Sequence, residues 1–190
     1  TRSSSIDTIP TGCFANCTSL KTFNSETDYD LSDITTIGYS AFYGCSGITG
    51  SVDLSSCNSI GDSAFYGCSG ITGSMDLPSC ISIGDSAFYG CNITGSVDLS
   101  SCNSIGNYAF NGCTNLKPTI STKATTVGSG AFHDCSYVII QADDEDTLAS
   151  YCSGISANDG DLQGLSDVKK VATLSDIPAD VSVSPSDLVN

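Results

Sequence analysis

The chain has 190 residues, of which 39% are hydrophobic and only 14% are charged, a balance that excludes a charge-driven disordered protein. Its 21 acidic residues against 6 Lys and Arg give a net charge of −15, and no Lys or Arg occurs from Ile34 to Leu116. Nucleic acids and anionic membranes bind clustered cations, so we expect neither as a partner. No apolar stretch approaches the roughly 20 residues of a transmembrane helix, so direct membrane insertion is not expected.

An internal repeat runs through the first three quarters of the chain. The block Ala-Phe-x-x-Cys recurs at intervals of 22 or 23 residues, and an earlier copy reads Cys13-Phe14-Ala15-Asn16-Cys17. The distance from Cys17 to Cys45 is 28 residues, so the first full repeat carries a five-residue excess. The Phe residues of the five regular copies are Phe42, Phe65, Phe88, Phe110 and Phe132. Such a period predicts a stack of small units that share one core.

Each unit combines a strand pattern with a tight turn. Val52-Asp53-Leu54 alternates apolar and polar residues, which predicts a short strand with Asp53 facing outward. In the block that follows, Asp62 suits an N-cap and Gly67 can end the turn, so we predict one helical or 3₁₀ turn. Asp85 and then Asn107 take the same capping role in the next units. Equivalent side chains should stack at about the 4.8 Å spacing of neighbouring strands.

The combined motif resembles a known family. Val52-x-Leu54-x-x-Cys57 is followed by Ile60-Gly61-x-x-Ala64-Phe65-x-x-Cys68, and both parts recur in later units. This is similar to the BspA-like, or Treponema-type, leucine-rich repeats. The resemblance implies a right-handed leucine-rich repeat solenoid of about six coils over residues 1–142. It also implies a surface or secreted protein, because family members bind host matrix proteins or other cells.

Eleven cysteines accompany the repeat. A zinc site wants short ligand spacings such as C-x-x-C, which the sequence lacks. A disulfide within a column of stacked thiols requires Cβ atoms about 3.8 Å apart, closer than the spacing of parallel strands. We therefore expect reduced thiols packed as small hydrophobic groups. Cys13 and Cys17 could instead pair across their turn, and Cys152 stands alone.

Two columns of outward residues are candidate contact surfaces. Tyr43, Tyr66 and Tyr89 follow the core Phe and form a candidate ligand-contact stripe, although each ring could merely cover its neighbour's turn.

The second column, Asp53, Asp76 and Asp98, is a candidate acidic column. Solvated acids that limit edge association explain it better than a calcium site, since calcium prefers six to eight oxygens. His133 lacks the convergent partners that acid–base or nucleophilic catalysis needs, and no cofactor or metal motif occurs.

The repeat ends after a strand predicted at Tyr137–Gln141. Acidic residues then open a helix over residues 143–157, with Leu148, Tyr151 and Cys152 on one face and Gly154 following them. We predict that this helix caps the last coil, and that residues 158–190 form an acidic tail or a linker to a further domain. The segment 171–178, Val-Ala-Thr-Leu-Ser-Asp-Ile-Pro, is similar to connecting phrases of phage tail-fibre proteins, which implies a tail held by neighbouring chains.

The sequence therefore favours a non-enzymatic binding or adhesion module of a surface or secreted protein, located outside the cell or at its surface. Its expected partner is a host or cell-surface protein or a glycan, and no cofactor is expected. A receptor-facing module of a phage tail-fibre-like protein, with homo-oligomerisation through the C-terminal tail, is one alternative. A structural spacer without a ligand is another.

Overall fold

The computed structural model describes residues 6–21, 29–156 and 170–174, with side chains over 6–21 and 31–151. Within these residues the chain forms short strands that recur once or twice per repeat, and one helix. The elements are β1 (Thr8–Ile9), β2 (Tyr29–Asp30), β3 (Thr36–Ile37), β4 (Gly50–Asp53), β5 (Ser59–Ile60), β6 (Ile71–Asp76), β7 (Ser82–Ile83), β8 (Gly95–Leu99), β9 (Ser104–Ile105), β10 (Leu116–Ser121), β11 (Thr126–Val127), β12 (Val138–Ala142), α1 (Glu145–Ser156) and β13 (Lys170–Leu174).

The strands form two walls of a solenoid. Six two-residue strands make one sheet in the order β1-β3-β5-β7-β9-β11. The longer strands, together with the two-residue β2, make two sheets, β2-β4-β6 and β8-β10-β12-β13. Every strand pair is parallel, and most pairs join equivalent residues of successive coils, as Ile60 pairs with Ile83. The exceptions are a register shift between Gly50 and Val52 in β4 and the pairing of β12 with β13, which lies beyond the repeat. The solenoid predicted from the repeat is therefore confirmed. The five-residue excess of the first full repeat lies over residues 22–28, outside the described residues.

The predicted turn has the i→i+3 hydrogen bonds of a 3₁₀ turn, but only on alternate residues. Tyr66 N–H donates within its turn to Ser63 O at 3.1 Å, whereas Gly67 N–H donates to Tyr89 O of the next coil at 2.9 Å. Ser63 (φ 55°) and Gly67 (φ 69°) both adopt the left-handed region, which interrupts the helical path. Alternate amides of the turn therefore join one coil to the next.

The acids that open each turn also act between coils. Asp62 was expected to cap its own turn, but its Oδ1 accepts the backbone N–H of Asp85 in the next coil at 2.9 Å. Asp85 Oδ1 accepts the N–H of Asn107 at 2.7 Å, and Asn107 Oδ1 accepts the N–H of Ser129 at 2.9 Å. The prediction of local caps is therefore wrong, because each side chain points along the solenoid axis rather than into its own turn.

The core is a stack of aromatic rings surrounded by aliphatic side chains. From Phe14 to Phe132, successive Phe rings lie 5.0–5.6 Å apart between centroids, with interplanar angles of 7–16°. The five regular Phe residues are fully buried, and so are Leu54 and its equivalent Leu77. Because each ring covers the next, a coil buries its apolar edge only when neighbours are present on both sides.

Helix α1 covers the last coil, as predicted. Asp144 caps it by accepting the N–H of Thr147 at 2.7 Å and its hydroxyl at 2.9 Å, and these hydrogen bonds lower the pKa of the Asp144 carboxyl. Leu148 is buried, and the hydroxyl of Tyr151 donates to Ala124 O at 2.7 Å. Gly154 lies inside the helix, since α1 continues to Ser156, one residue short of the predicted end. The side chain of Cys152 lies outside the described residues.

The segment predicted as tail or linker contains a strand. The β13 residues, Lys170–Leu174, pair in parallel with β12 of the same chain, from Val138↔Lys170 to Ala142↔Leu174. β13 therefore extends the chain's own sheet, while contact of the tail with neighbouring chains stays a prediction. The rest of the tail, including residues 175–178 of the fibre-like phrase, lies outside the described residues.

Candidate functional site

The three predicted tyrosines form a ladder on the turn side of the solenoid. Tyr43 and Tyr66 have ring centroids 5.0 Å apart with an interplanar angle of 9°, and Tyr66 and Tyr89 are 4.8 Å apart at 6°. Tyr43 is 37% exposed, and the other two are half-buried. Each ring therefore covers its neighbour while its edge still faces solvent. We call Tyr43, Tyr66 and Tyr89 the tyrosine ladder.

The backbone fixes the spacing of the ladder. The carbonyl of Tyr66 accepts the N–H of Gly44 at 2.8 Å, and the carbonyl of Tyr89 accepts the N–H of Gly67 at 2.9 Å. These backbone bonds hold adjacent coils in register. The alignment of the rings therefore follows from the backbone and does not depend on ring–ring contacts. In the last two turns Asn111 takes the ladder position and then His133, so the aromatic row ends at Tyr89.

The acidic column is built by local turns. Asp53 and Asp76 occupy paired positions of β4 and β6, and the side chains of Asp76 and Asp98 are exposed. Oδ1 of Asp53 accepts the N–H of Ser55 at 3.0 Å, and Asp98 accepts that of Ser100 at 2.9 Å. These carboxylates end their strands by hydrogen-bonding the backbone two residues on, a role typical of Asp that the sequence analysis missed.

No metal centre emerges from the acids and thiols of the described residues. Over these parts of the chain, three or more His, Cys, Asp or Glu side chains do not converge anywhere. His133 Nδ1 lies 3.2 Å from Asp134 Oδ2, and both side chains are more than half exposed. This pair sits in water and is not joined to a nucleophile by any hydrogen bond in the described structure.

The thiols form two buried columns. In the turn column, Cys68 Sγ donates to Phe42 O of the preceding coil at 3.0 Å, and Cys91 donates to Phe65 O at 3.2 Å. After the long strands, Cys102 Sγ donates to Cys80 O at 3.0 Å. Every cysteine whose side chain is described is free of a disulfide.

Burial suppresses ionisation of these thiols. Burial, with a smaller contribution from the neighbouring thiol of the column, raises the pKa of Cys57 and of Cys68 to about 12. Cys91 is shifted in the same direction for the same reason. Cys13 and Cys17 are instead exposed, and both are free, so the pairing considered from the sequence is not present. The buried columns are therefore packing elements, as predicted, and the first turn carries accessible thiols.

A concave site that the sequence did not reveal lies at the corner after the long strands. Its volume is about 410 Å³. We call it the corner cleft, and its lining consists of Ser100, Ser101, Ser121, Thr122, Lys123, Gln141 and Asp143. These residues follow or end the adjacent parallel strands β8, β10 and β12. The sequence signal for the cleft is Lys123, one of the few cations in an acidic and hydroxyl-rich solenoid.

Comparison with known proteins places the fold in a family. The family model of the BspA type leucine-rich repeat region, with six copies, matches residues 1–72 and 35–152. No curated protein and no solved structure gives a significant match.

Family membership suggests the general use of the fold. Proteins with this repeat are often involved in surface binding and are typically associated with surfaces, and leucine-rich repeat solenoids generally bind or scaffold rather than catalyse. Within the described residues, no helix combines the length and apolarity needed to cross a membrane. The repeat, the two-walled solenoid and the family match lead to one conclusion: this chain belongs to the BspA-type leucine-rich repeat family.

Proposed function

We propose that this chain is a non-enzymatic binding module, extracellular or on a cell surface, that contacts a host or cell-surface protein through the tyrosine ladder. The observation that carries the proposal is the regular stacking of Tyr43, Tyr66 and Tyr89 at 4.8–5.0 Å with exposed edges. Tyrosine supplies a large contact area for little loss of rotamer freedom. Rings that are already stacked lose still less on binding, which favours affinity through pre-organisation.

Charge supports a neutral or basic contact surface on the partner. The ladder lies within the stretch from Ile34 to Leu116, which contains no Lys or Arg. Asp62 and Asp85 begin the turns that carry Tyr66 and Tyr89, so the same face has negative charge. Arg and Lys side chains of a partner are attracted by these acids when the partner packs against the exposed ring edges. Association should therefore slow as salt concentration rises.

The experiment compares the intact chain with ladder variants on a panel of immobilised extracellular matrix proteins and glycans. We expect Tyr66→Ser combined with Tyr89→Ser to weaken binding at least tenfold, which corresponds to about 1.4 kcal/mol. Tyr108→Ser is the matched control, because Tyr108 is 47% exposed and lies outside the ladder. It should bind as the unchanged protein does.

The outcomes separate the proposal from its rivals. Binding that survives in the double variant would remove the ladder as the contact surface. Failure of the unchanged protein to bind any member of the panel would favour a spacer without a ligand. Glycan binding that the ladder variants abolish would overturn the choice of a protein partner. Melting curves of all variants are recorded alongside, since a loss of binding counts only where the fold is retained.

A further inference from the structure

One corner of the solenoid departs from the repeat by a single residue. Strand pairing aligns Ile120 with Leu99. After the corner, Thr125 N–H donates to Asn103 O just as Asn103 N–H donates to Ile81 O in the coil before, so Thr125 is equivalent to Asn103. The residues that precede them, Ala124 and Cys102, are therefore the next aligned pair. Two residues separate Leu99 from Cys102, whereas three separate Ile120 from Ala124. The inserted residue enlarges the corner at Thr122 and Lys123, which is where the corner cleft opens.

The lining of the cleft contains polar groups that the fold does not use. Ser121 Oγ donates to Ser100 O at 2.9 Å and accepts the N–H of Lys123 at 3.2 Å, and Ser101 Oγ donates to Pro78 O at 2.7 Å, so these two hydroxyls are held in place. Among the described residues, the side chains of Thr122, Lys123 and Gln141 have no hydrogen-bond partner. The cleft therefore combines fixed hydroxyl acceptors with an ammonium group and an amide that remain available to a ligand.

The charge and size of the cleft limit its ligand. Lys123 and Asp143 are the two charged residues of the lining, so its formal charge is zero. An anion would meet the Asp143 carboxylate, and a cation would meet the Lys123 ammonium. A neutral ligand is repelled by neither charged group. The hydroxyl groups of a sugar are neutral, and each can both donate and accept a hydrogen bond. The volume of about 410 Å³ lies at the small end of ligand sites and suits a short saccharide.

We propose that the corner cleft binds a neutral saccharide of one or two rings. Lys123 and Gln141 donate to ring hydroxyls, and the hydroxyls of Ser101 and Ser121 accept from them. The site is open to solvent and its lining carries no aromatic ring, so water competes for each hydrogen bond and the dissociation constant should be about 1 mM. The proposal does not depend on the tyrosine ladder, which lies on other segments of the coil.

The test is a titration of the intact chain with sugars, monitored by two-dimensional NMR of its backbone amides. The probes are glucose, galactose, N-acetylglucosamine and lactose, each raised to about 50 mM so that a millimolar site saturates. We expect saturable shifts confined to residues 100–101, 121–123 and 141–143. Sialyllactose serves as an acidic probe. The double variant Tyr66→Ser with Tyr89→Ser should bind the neutral sugars with unchanged affinity, and this result would separate the cleft from the tyrosine ladder.

Two variants and one control locate the site. Lys123→Ala should raise the dissociation constant at least fivefold, and deletion of Thr122 should abolish the shifts by restoring the length of the neighbouring corner. Lys117→Ala is the control, because Lys117 lies 5.7 Å from the ring centre of Tyr137 and is not part of the lining. Absence of saturation with all four neutral sugars would overturn the proposal, as would binding of sialyllactose alone. Equal affinity of Lys123→Ala and the unchanged chain would also overturn it.

Discussion

The carboxylate of Asp85 accepts two donors from Asn107 of the next coil: the backbone N–H at 2.7 Å and the side-chain Nδ2 at 3.3 Å. The backbone N–H bond of this pair recurs between Asp62 and Asp85 and between Asn107 and Ser129. A row of side-chain acceptors thus satisfies the amides that open each turn, and these amides would otherwise have no partner in the turn itself. The row strengthens the interface between coils, on which a solenoid depends for its stability.

Replacing Asp85 by Ala should weaken this interface. The N–H and the side chain of Asn107 lose their acceptor, and because the site is exposed we expect a loss of about 1 kcal/mol in the free energy of unfolding. Asp85→Asn is the control, since Asn107 itself accepts the equivalent N–H of Ser129 at 2.9 Å. Urea unfolding measures both. An Asn variant that is as unstable as the Ala variant would show that charge, rather than the acceptor, matters.

The apolar pattern made the core predictable from the sequence, and backbone conformation explains most of what was missed. Phe65 and Phe88 recur in a fixed block, so their stacking follows from counting residues. The hydrogen bonds between turns cannot be found by counting residues, because they depend on Ser63 adopting φ 55°. Serine does not ordinarily indicate a left-handed backbone position. The intercoil role of Asp62 was therefore mistaken for an ordinary cap.

The remaining differences between the sequence predictions and the structure depend on which residues pair across long separations in sequence. Strand β13 pairs with β12 across 32 positions of sequence, from Val138 to Lys170, and nothing local in a polar tail indicates such a pairing. The corner cleft arises from an insertion that the spacing of the core rings conceals, since Phe110 and Phe132 are still 22 residues apart. Only the alignment of Ile120 with Leu99 reveals it. The position of the tyrosine ladder, in contrast, was visible in the repeat.

Glycine at the start of each turn permits the coils to approach closely. A Cβ added at Gly61 would lie 2.7 Å from Tyr39 N and 2.8 Å from Gly38 C, both backbone atoms of the preceding coil. We expect Gly61→Ala to cost about 3 kcal/mol, since the backbone must shift to relieve the overlap. Denaturant unfolding with circular dichroism gives the value.

The matched control for this change lies in the same coil. Gly67 has φ 69°, and a Cβ there meets no atom within 4 Å. Gly67→Asn should cost less than about 1 kcal/mol, because Asn tolerates the left-handed region and Asn16 adopts φ 60° in the first turn. If Gly61→Ala were no more harmful than Gly67→Asn, the close approach of the coils would not limit stability.

The aromatic stack should be most sensitive at its centre. Phe88 is fully buried, with ring centroids of Phe65 at 5.2 Å and Phe110 at 5.1 Å. Phe88→Ala should lower the free energy of unfolding by about 3–5 kcal/mol, because it leaves a cavity lined by two rings. Phe14→Ala is the same change at the end of the stack, where the ring is only partly buried, and should cost less than half as much. Equal losses at the two positions would contradict a core that is continuous through successive coils.

The buried thiols make the fold sensitive to alkaline pH. Burial raises the pKa of Cys57 and Cys68 to about 12, above the value of about 8.5 for an unfolded thiol. Between these values the unfolded chain loses protons that the folded chain keeps, so stability is complete below pH 8.5 and falls as pH rises towards 12. The slope is at most about 1.4 kcal/mol per pH unit for each such thiol.

Thiol labelling tests the same assignment at constant pH. At pH 8 we expect iodoacetamide to modify the exposed Cys13 and Cys17 quickly, whereas Cys68 and Cys91 should react only after unfolding. Mass spectrometry of peptides from a time course identifies each site. Cys68→Ala should remove the contribution of one thiol to the loss of unfolding free energy at alkaline pH. Cys17→Ala should leave that loss unchanged. Labelling of Cys91 at the rate of Cys17 would show that the columns open to solvent, and the predicted alkaline transition would then have no structural basis.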